Sequence, residues 1–131
     1  MTDSIAPSAI LIVEDEAPIR HLIRKILTRA GYVTLEAANT NQAEAVVRAY
    51  HGKVQLAILD LVITGGSGTD FANQLDIERP GTTVLYISGF GDSVAAESIV
   101  RSQPDAMLMK PFTGRQLLVH VKELLGPNVR D

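Results

Sequence analysis

The chain has 131 residues, of which 46% are hydrophobic and 21% are charged, a composition typical of one soluble domain with a single core. Its net charge of −3 argues against nucleic-acid binding, and the absence of cysteine excludes a disulfide scaffold, a zinc–thiolate site and a thiol nucleophile. No apolar stretch reaches membrane-spanning length, and the N-terminus lacks the basic and apolar regions of a signal peptide. We therefore expect a cytoplasmic protein with no membrane partner.

Five short apolar runs predict the strands of a sheet. They cover residues 9–13, 32–37, 56–59, 84–87 and 106–109. Four of the runs are nearly continuous, which is typical of strands that are buried on both faces of a parallel sheet. The second run alternates apolar and polar residues from Val33 to Ala37, which indicates an edge strand.

Helical periodicity follows each of the five runs. The apolar stripes of the predicted helices begin at Ile19, Ala43, Phe71, Val94 and Leu117. Thr113 and Gln116 have capping-box spacing, Asn39 or Thr40 can cap the second helix, and Gly31 and Gly126 are expected stops. The alternation predicts five βα units and a parallel sheet covered on both faces, in one domain over residues 9–126. Residues 1–8 are expected to form a flexible lead and residues 127–131 a tail.

Polar residues follow directly after four of the apolar runs. They are Glu14-Asp15-Glu16, Asp60, Ser88 and Lys110-Pro111. Each residue alone is better explained by a structural role, as a helix cap, a turn or a strand end. In an open parallel sheet, however, all these positions fall at the carboxyl edge, where ligands bind. The four strand ends together therefore favour a functional site over separate structural roles.

The residue types at this edge indicate phosphoryl chemistry with a metal ion. Clustered carboxylates repel one another and favour a hard divalent cation, of which Mg²⁺ is the natural candidate beside phosphate. An aspartate can attack a phosphoryl group and form an aspartyl phosphate. Lys110 and Ser88 can then contact the phosphoryl oxygens and stabilise their charge.

Other motifs carry weaker signals. The stretch of residues 65–68 is rich in glycine but lacks the spacing of a nucleotide-binding loop, so a flexible turn is the better interpretation. The three histidines are far apart and show no metal-binding spacing, and solvated helix positions suit His21 and His120. Ser88 lacks the glycine pattern of a nucleophile elbow, which disfavours a catalytic triad.

Over Ile10 to Leu125 the motifs resemble the receiver domain of response regulators, the phosphoacceptor module of two-component signalling. The matching segments are Val13-Glu14-Asp15-Glu16, Leu59-Asp60, Gly68, Ile87-Ser88-Gly89 and Lys110-Pro111-Phe112, in the family's order. The resemblance implies a flavodoxin-like (βα)5 fold with a doubly wound, five-stranded parallel sheet, as in chemotaxis regulators, and a cis Lys110–Pro111 bond. The segment from Val84 to Phe90 also resembles receivers of hybrid histidine kinases.

The resemblance implies a role for each site residue. Asp60 is the phosphoacceptor, and Ser88 and Lys110 contact the phosphoryl oxygens. Mg²⁺ is held by Asp15, by Asp60, by the backbone carbonyl of Val62, and by Glu14 directly or through water.

The family's partners are implied in the same way. The phosphodonor is a phosphohistidine on a sensor histidine kinase or a histidine phosphotransfer protein that docks near the first helix. A downstream protein reads the face formed by the fourth predicted helix, the fifth predicted strand and the fifth predicted helix. Whether the active state forms a homodimer stays open, and no activity beyond self-catalysed phosphotransfer and autodephosphorylation is expected.

Three departures from the family pattern bear on switching. Thr64 replaces the usual proline after the phosphoacceptor, and nearby glycines predict a more mobile loop. Met107 replaces the usual aromatic switch residue, so either Phe90 supplies a substitute ring or Met107 repacks without one. Val62 and Phe90, two residues after Asp60 and Ser88, are apolar and cannot orient a water molecule, which predicts slow self-dephosphorylation.

Two other function classes compete with the signalling switch. The first is a Mg²⁺-dependent phosphohydrolase of the haloacid-dehalogenase type, which needs an acid two residues after its nucleophile, where this chain has Val62. The second is a nucleotide- or flavin-binding domain, which the missing phosphate loop and the clustered carboxylates disfavour.

Overall fold

The computed structural model describes residues 6–63, 66–89, 99 and 101–126. The main sheet contains β1 (Ala9–Val13), β2 (Val33–Ala37), β3 (Val54–Asp60), β4 (Thr83–Ser88) and β5 (Met107–Met109). The helices are α1 (Ala17–Arg29), α2 (Thr40–Ala49), α3 (Gly68–Glu78) and α4 (Gly114–Leu125), and a 3₁₀ turn, Pro104–Ala106, precedes β5. The helix predicted over residues 94–100 lies outside the described residues except for Ile99.

The five strands form one parallel sheet in the order β2-β1-β3-β4-β5. This confirms the predicted parallel α/β fold and places the alternating second strand at an edge. The register aligns the carboxyl ends of the three central strands, because Val13 is paired with Leu59 and Asp60 with Ile87. Ser88 is paired with Met109 at the end of β5. The residues that follow these strands therefore share one edge of the sheet.

Each face of the sheet has its own hydrophobic core. Helices α2 and α3 cover one face, where Val13, Leu59 and Phe71 are buried together. Helices α1 and α4 cover the other face, where Ile12, Ile58 and Leu117 are buried together. Since successive strand residues point to opposite faces, both sets must be apolar, which explains the nearly continuous hydrophobic runs.

The helix boundaries follow the predicted capping signals closely. Asn39 caps α2 by accepting a 2.8 Å bond from the amide of Gln42, and Thr113 and Gln116 form the predicted capping box of α4. Helix α3 begins at Gly68, three residues before the apolar stripe that starts at Phe71. The reason is a cap that the stripe does not reveal: the Ser67 hydroxyl accepts a bond from the α3 backbone.

The segment after Asp60 is more regular than the predicted turn. Val62–Ile63 pairs with Gly66–Ser67 in a short antiparallel ribbon, while Thr64 and Gly65 lie outside the described residues. Gly68 is required at the end of this ribbon because a Cβ atom there would lie 2.3 Å from the carbonyl oxygen of Asp60. The ribbon and this close approach hold the segment against the end of β3.

Candidate functional site

Three carboxylates meet at the carboxyl edge of the sheet. Glu14 and Asp15 follow β1, and Asp60 ends β3. One oxygen from each lies within 4.8 Å of one oxygen from the other two. Glu14 is 1% exposed and Asp60 is 5% exposed, whereas Asp15 lies at the surface. The cluster therefore has a buried floor and one side chain open to solvent.

Lys110, which follows β5, is the cation of this cluster. Its ammonium lies 2.9 Å from Oδ2 of Asp60 and 3.2 Å from Oε1 of Glu14. The other oxygen of Asp60, Oδ1, accepts a 3.1 Å hydrogen bond from the amide of Val62. Both oxygens of Asp60 thus have a donor, and the carboxylate is held in a defined orientation.

The pKa values of Glu14 and Lys110 are both raised, for different reasons. Burial raises the pKa of Glu14 to about 7, the backbone amide of Glu16 opposes this, and the charge of Asp60 adds to it. Burial also opposes the charge on Lys110, but its contacts with Asp60 and Glu14 outweigh burial and raise its pKa. Within the described residues, Oε1 of Glu14 is buried and accepts no hydrogen bond, and Lys110 approaches it as an ion pair at 3.2 Å.

This arrangement fits a hard divalent cation. Three carboxylates face one ammonium, so the described part of the site carries an excess of negative charge. A metal ion would give the buried Oε1 of Glu14 a ligand contact beside its ion pair with Lys110, and oxygen donors are the ligands that Mg²⁺ prefers. Among the described residues, the candidate ligands are all carboxylates, with no nitrogen or sulfur ligand that would favour a softer metal.

Ser88 lies between the strands that carry Asp60 and Lys110. Its side chain is fully buried, and its Oγ lies 3.3 Å from the carbonyl oxygen of Gly89, a long and weak hydrogen bond. The backbone amide of Lys110 donates to the carbonyl of Ser88 at 2.8 Å, and the Lys110–Pro111 bond is cis, as expected. All the predicted strand-end residues are therefore neighbours at one edge.

A residue outside the predicted motifs also contacts the site. Arg20 in α1 donates a 2.8 Å hydrogen bond to the backbone carbonyl of Glu14. The sequence contains no signal for this contact beyond a cation five residues after Asp15. The contact depends on how the first turns of α1 lie over the end of β1.

An apolar groove opens beside the carboxylates. Its volume is about 430 Å³, and its lining comprises Ile19, Leu22, Gly89, Lys110, Pro111 and Phe112. Leu22 is 47% exposed, which is high for a large aliphatic side chain. The groove thus connects an exposed part of α1 with the lysine that contacts Asp60.

The residues predicted to differ from the family pattern are only partly described. Met107 is buried at 6% exposure and is paired with Tyr86 of β4. Phe90, the other candidate for the switch, lies outside the described residues. In the described ranges, every helix is too short or too polar to cross a membrane.

Comparison with known proteins gives a family match. The model for "Response regulator receiver domain" matches residues 10–122. Among curated proteins, the phosphate regulon transcriptional regulatory protein PhoB of Pseudomonas aeruginosa is 36% identical over 118 residues, which are 88% of this chain and 51% of PhoB. The sensor kinase CckA of Brucella abortus is 28% identical over 95% of this chain but only 13% of its own length. The chain spans about half the length of the transcriptional regulators it matches.

Solved structures give the same match at the level of the fold. A CheY-like response regulator receiver domain protein from Methanospirillum hungatei superposes with a TM-score of 0.78 at 28% identity, over 92% of this chain and 94% of that one. The receiver domain of NtrX from Brucella abortus gives a TM-score of 0.77 at 29% identity, over 88% and 97% of the two chains.

Proposed function

The chain belongs to the response regulator receiver domain family, and we propose that it receives its phosphoryl group on Asp60 from a phosphohistidine. The observation that carries this assignment is the position of Asp60. It is the buried aspartate at the carboxyl end of β3, and its carboxylate lies 2.9 Å from the ammonium of Lys110 within the three-carboxylate cluster.

The transfer forms one bond and breaks one bond. An oxygen of Asp60 attacks the phosphorus, the phosphorus–nitrogen bond to the imidazole breaks, and the bonding pair returns to the ring nitrogen, which takes up a proton. Lys110 exchanges its contact with Oδ2 of Asp60 for a phosphoryl oxygen, and the hydroxyl of Ser88 donates to a second one. Glu14, Asp15, Asp60 and the Val62 carbonyl would hold Mg²⁺, which would supply positive charge to offset that of the phosphoryl group.

The phosphodonor, a sensor histidine kinase or a histidine phosphotransfer protein, docks on α1 in this proposal. The apolar groove supports that placement because it runs from Ile19 and Leu22 to Lys110. Any protein that brings an imidazole to Asp60 must cover the surface around Lys110, and the groove is the apolar part of that surface. The exchange is proposed for the cytoplasm, where ATP recharges such donors.

Phosphorylation is proposed to act by biasing an existing conformational equilibrium that a downstream protein reads. The expected reading face combines β5, α4 and the helix predicted over residues 94–100. Its described part exposes apolar side chains, since Met109 is 50% exposed and Val119 is 47% exposed. A second copy of the chain on this face is the alternative outcome that an oligomeric-state measurement detects.

A switch is favoured over a phosphohydrolase by the residue two positions after Asp60. Hydrolases of the haloacid-dehalogenase type need a general acid or base there, and Val62 is apolar and 62% exposed. The remaining chemistry of the chain is then phosphotransfer to itself and slow self-dephosphorylation.

The test is phosphorylation by a small donor, acetyl phosphate with Mg²⁺, followed by intact mass and hydroxylamine sensitivity. We expect one acyl phosphate on the native chain and on the matched control Asp76→Asn, whose carboxylate lies at the surface of α3. Asp60→Asn should accept none. Stoichiometric labelling of Asp60→Asn would overturn the assignment.

A second measurement tests the surrounding residues. Titration with Mg²⁺ and beryllofluoride, a phosphoryl mimic, should produce saturable NMR shift changes at Asp60, Ser88 and Lys110. Changes confined to other parts of the chain would contradict the proposed site.

A further inference from the structure

We propose that Arg20 is a positioning residue for the metal-binding loop formed by residues 14–16, and that Glu36 holds it in that role. The inference rests on the proposed function, because it concerns the affinity of the same site for Mg²⁺. It adds a residue that touches neither the metal nor the phosphoryl group and acts through the backbone of Glu14.

The central contact joins a side chain to a peptide bond. The guanidinium of Arg20 donates to the carbonyl oxygen of Glu14 at 2.8 Å, and the Arg20 side chain is only 16% exposed. That carbonyl belongs to the peptide unit between Glu14 and Asp15, the two acidic residues after β1. Because a peptide unit is planar, a bond to its oxygen restrains rotation of the whole unit, and with it ψ of Glu14 and φ of Asp15. Arg20 therefore limits how far the backbone between the two carboxylates can turn.

The rest of the loop is held through other groups. The amide of Glu14 donates to the carbonyl of Ala37 at 3.1 Å, and the amide of Glu16 donates to the Glu14 carboxylate at 3.1 Å. In the described part of the chain, the side chain of Glu16 makes no capping hydrogen bond to helix α1. The hydrogen bond from Arg20 thus ties the carbonyl of Glu14, which lies between the two acidic residues, to a side chain of α1.

Glu36 explains why the guanidinium stays on this carbonyl. Its Oε1 lies 3.5 Å from Nε of Arg20, and its Oε2 lies 3.1 Å from Nε of Arg24, so one carboxylate bridges two cations of α1. Glu36 is paired with Ile12 of β1, and Ile12 faces the core under α1. Without Glu36, Arg20 would be drawn towards the carboxylates of the site and would compete there with a cation.

The direction in which Mg²⁺ affinity changes when Arg20 is replaced distinguishes a positioning role from a simple electrostatic one. A cation near an acidic site lowers its affinity for Mg²⁺, so deleting that charge should tighten binding. If Arg20 positions the loop, deleting it should instead weaken binding, because the backbone between the two carboxylates is then less restrained.

The test is a Mg²⁺ titration of the whole chain, followed through the backbone amide signals of Asp15 and Asp60 by NMR. Arg20→Gln should weaken Mg²⁺ binding by about fivefold, as expected for the loss of one hydrogen bond of ordinary strength. Arg20→Lys, which keeps a donor and the charge, should restore part of that loss. Arg24→Gln is the matched control: it removes the same charge one turn further along α1, and its binding should be unchanged or slightly tighter.

Native or tighter binding by Arg20→Gln, equal to that of Arg24→Gln, would overturn the inference and leave the proposed function intact. Failure of the native chain to bind Mg²⁺ would overturn the proposed function and the inference with it. Should Arg20→Gln not fold, Arg20→Lys decides, because it keeps the charge and changes only the shape of the donor: weaker Mg²⁺ binding than in the native chain supports the positioning role, and native binding overturns it.

Discussion

The buried charge of Glu14 should make the protein less stable at neutral pH than in mild acid. Burial raises the pKa of Glu14 from 4.5 to about 7, so the folded chain binds this proton more tightly than the unfolded chain. The free energy of unfolding should therefore fall as the pH rises from 4.5 to 7 and then level off. At about 1.4 kcal/mol per pKa unit, the contribution lost from Glu14 is about 3 kcal/mol.

Replacing Glu14 by glutamine tests this reasoning directly. The amide has nearly the same shape but no charge, and Lys110 keeps its 2.9 Å contact with Asp60. Without divalent cations, Glu14→Gln should be more stable than the native chain at pH 8, by up to about 3 kcal/mol. At pH 4 the two should agree within about 1 kcal/mol, because native Glu14 is then protonated.

The assay is urea unfolding followed by far-UV circular dichroism at several pH values between 4 and 8, with a chelator present. Glu16→Gln, which removes an exposed carboxylate from the same loop, is the matched control. Saturating Mg²⁺ should stabilise the native chain more than Glu14→Gln, because ligation favours the ionised carboxylate. If Glu14→Gln shows the native pH dependence and no gain at pH 8, the burial argument is wrong.

Three further predictions concern the site, and a fourth concerns the stability of the fold. Asp15→Asn should weaken Mg²⁺ binding and block phosphorylation while the circular dichroism spectrum stays native, and normal phosphoryl uptake would contradict the proposed ligand role. Asp60→Asn should leave the melting temperature unchanged or raise it, because it removes charge from a crowded acidic cluster, and a clear drop would refute that account. Val62→Asn combined with Phe90→Glu should speed loss of the phosphoryl group by roughly tenfold or more, about 1.4 kcal/mol of barrier. The measurement is the decay of the phosphorylated chain with Mg²⁺ and no kinase. An unchanged rate, or decay of the native chain within seconds, would refute the argument that these two apolar side chains slow hydrolysis. Arg79→Met should lower the free energy of unfolding by about 2–4 kcal/mol, because the guanidinium of Arg79 donates to three backbone carbonyls at 2.6–2.8 Å. A loss below about 1 kcal/mol in urea unfolding would show that water replaces those bonds.

Local sequence patterns determined most of the architecture of this protein. Strands buried on both faces must be apolar at every position, so the runs of the sheet are visible in the sequence, and the alternating run from Val33 to Ala37 is confirmed as the edge strand β2. Parallel strands place their carboxyl ends together, so the convergence of Asp60 and Lys110 followed from their positions after two runs. The family match confirms the receiver assignment that these ordered motifs predicted.

Only the tertiary structure decided how neighbouring residues of the site differ. Glu14 and Asp15 are adjacent acids, yet Glu14 lies under the loop with its pKa raised to about 7, while Asp15 is exposed. The bond from Arg20 to the Glu14 carbonyl, the ion pair of Arg20 with Glu36 and the close approach of Gly68 to Asp60 depend on where separate elements meet in space. Periodicity and capping report each segment with its own neighbours, whereas burial and contacts between segments arise from packing of the whole chain, which is why these features are absent from the sequence pattern.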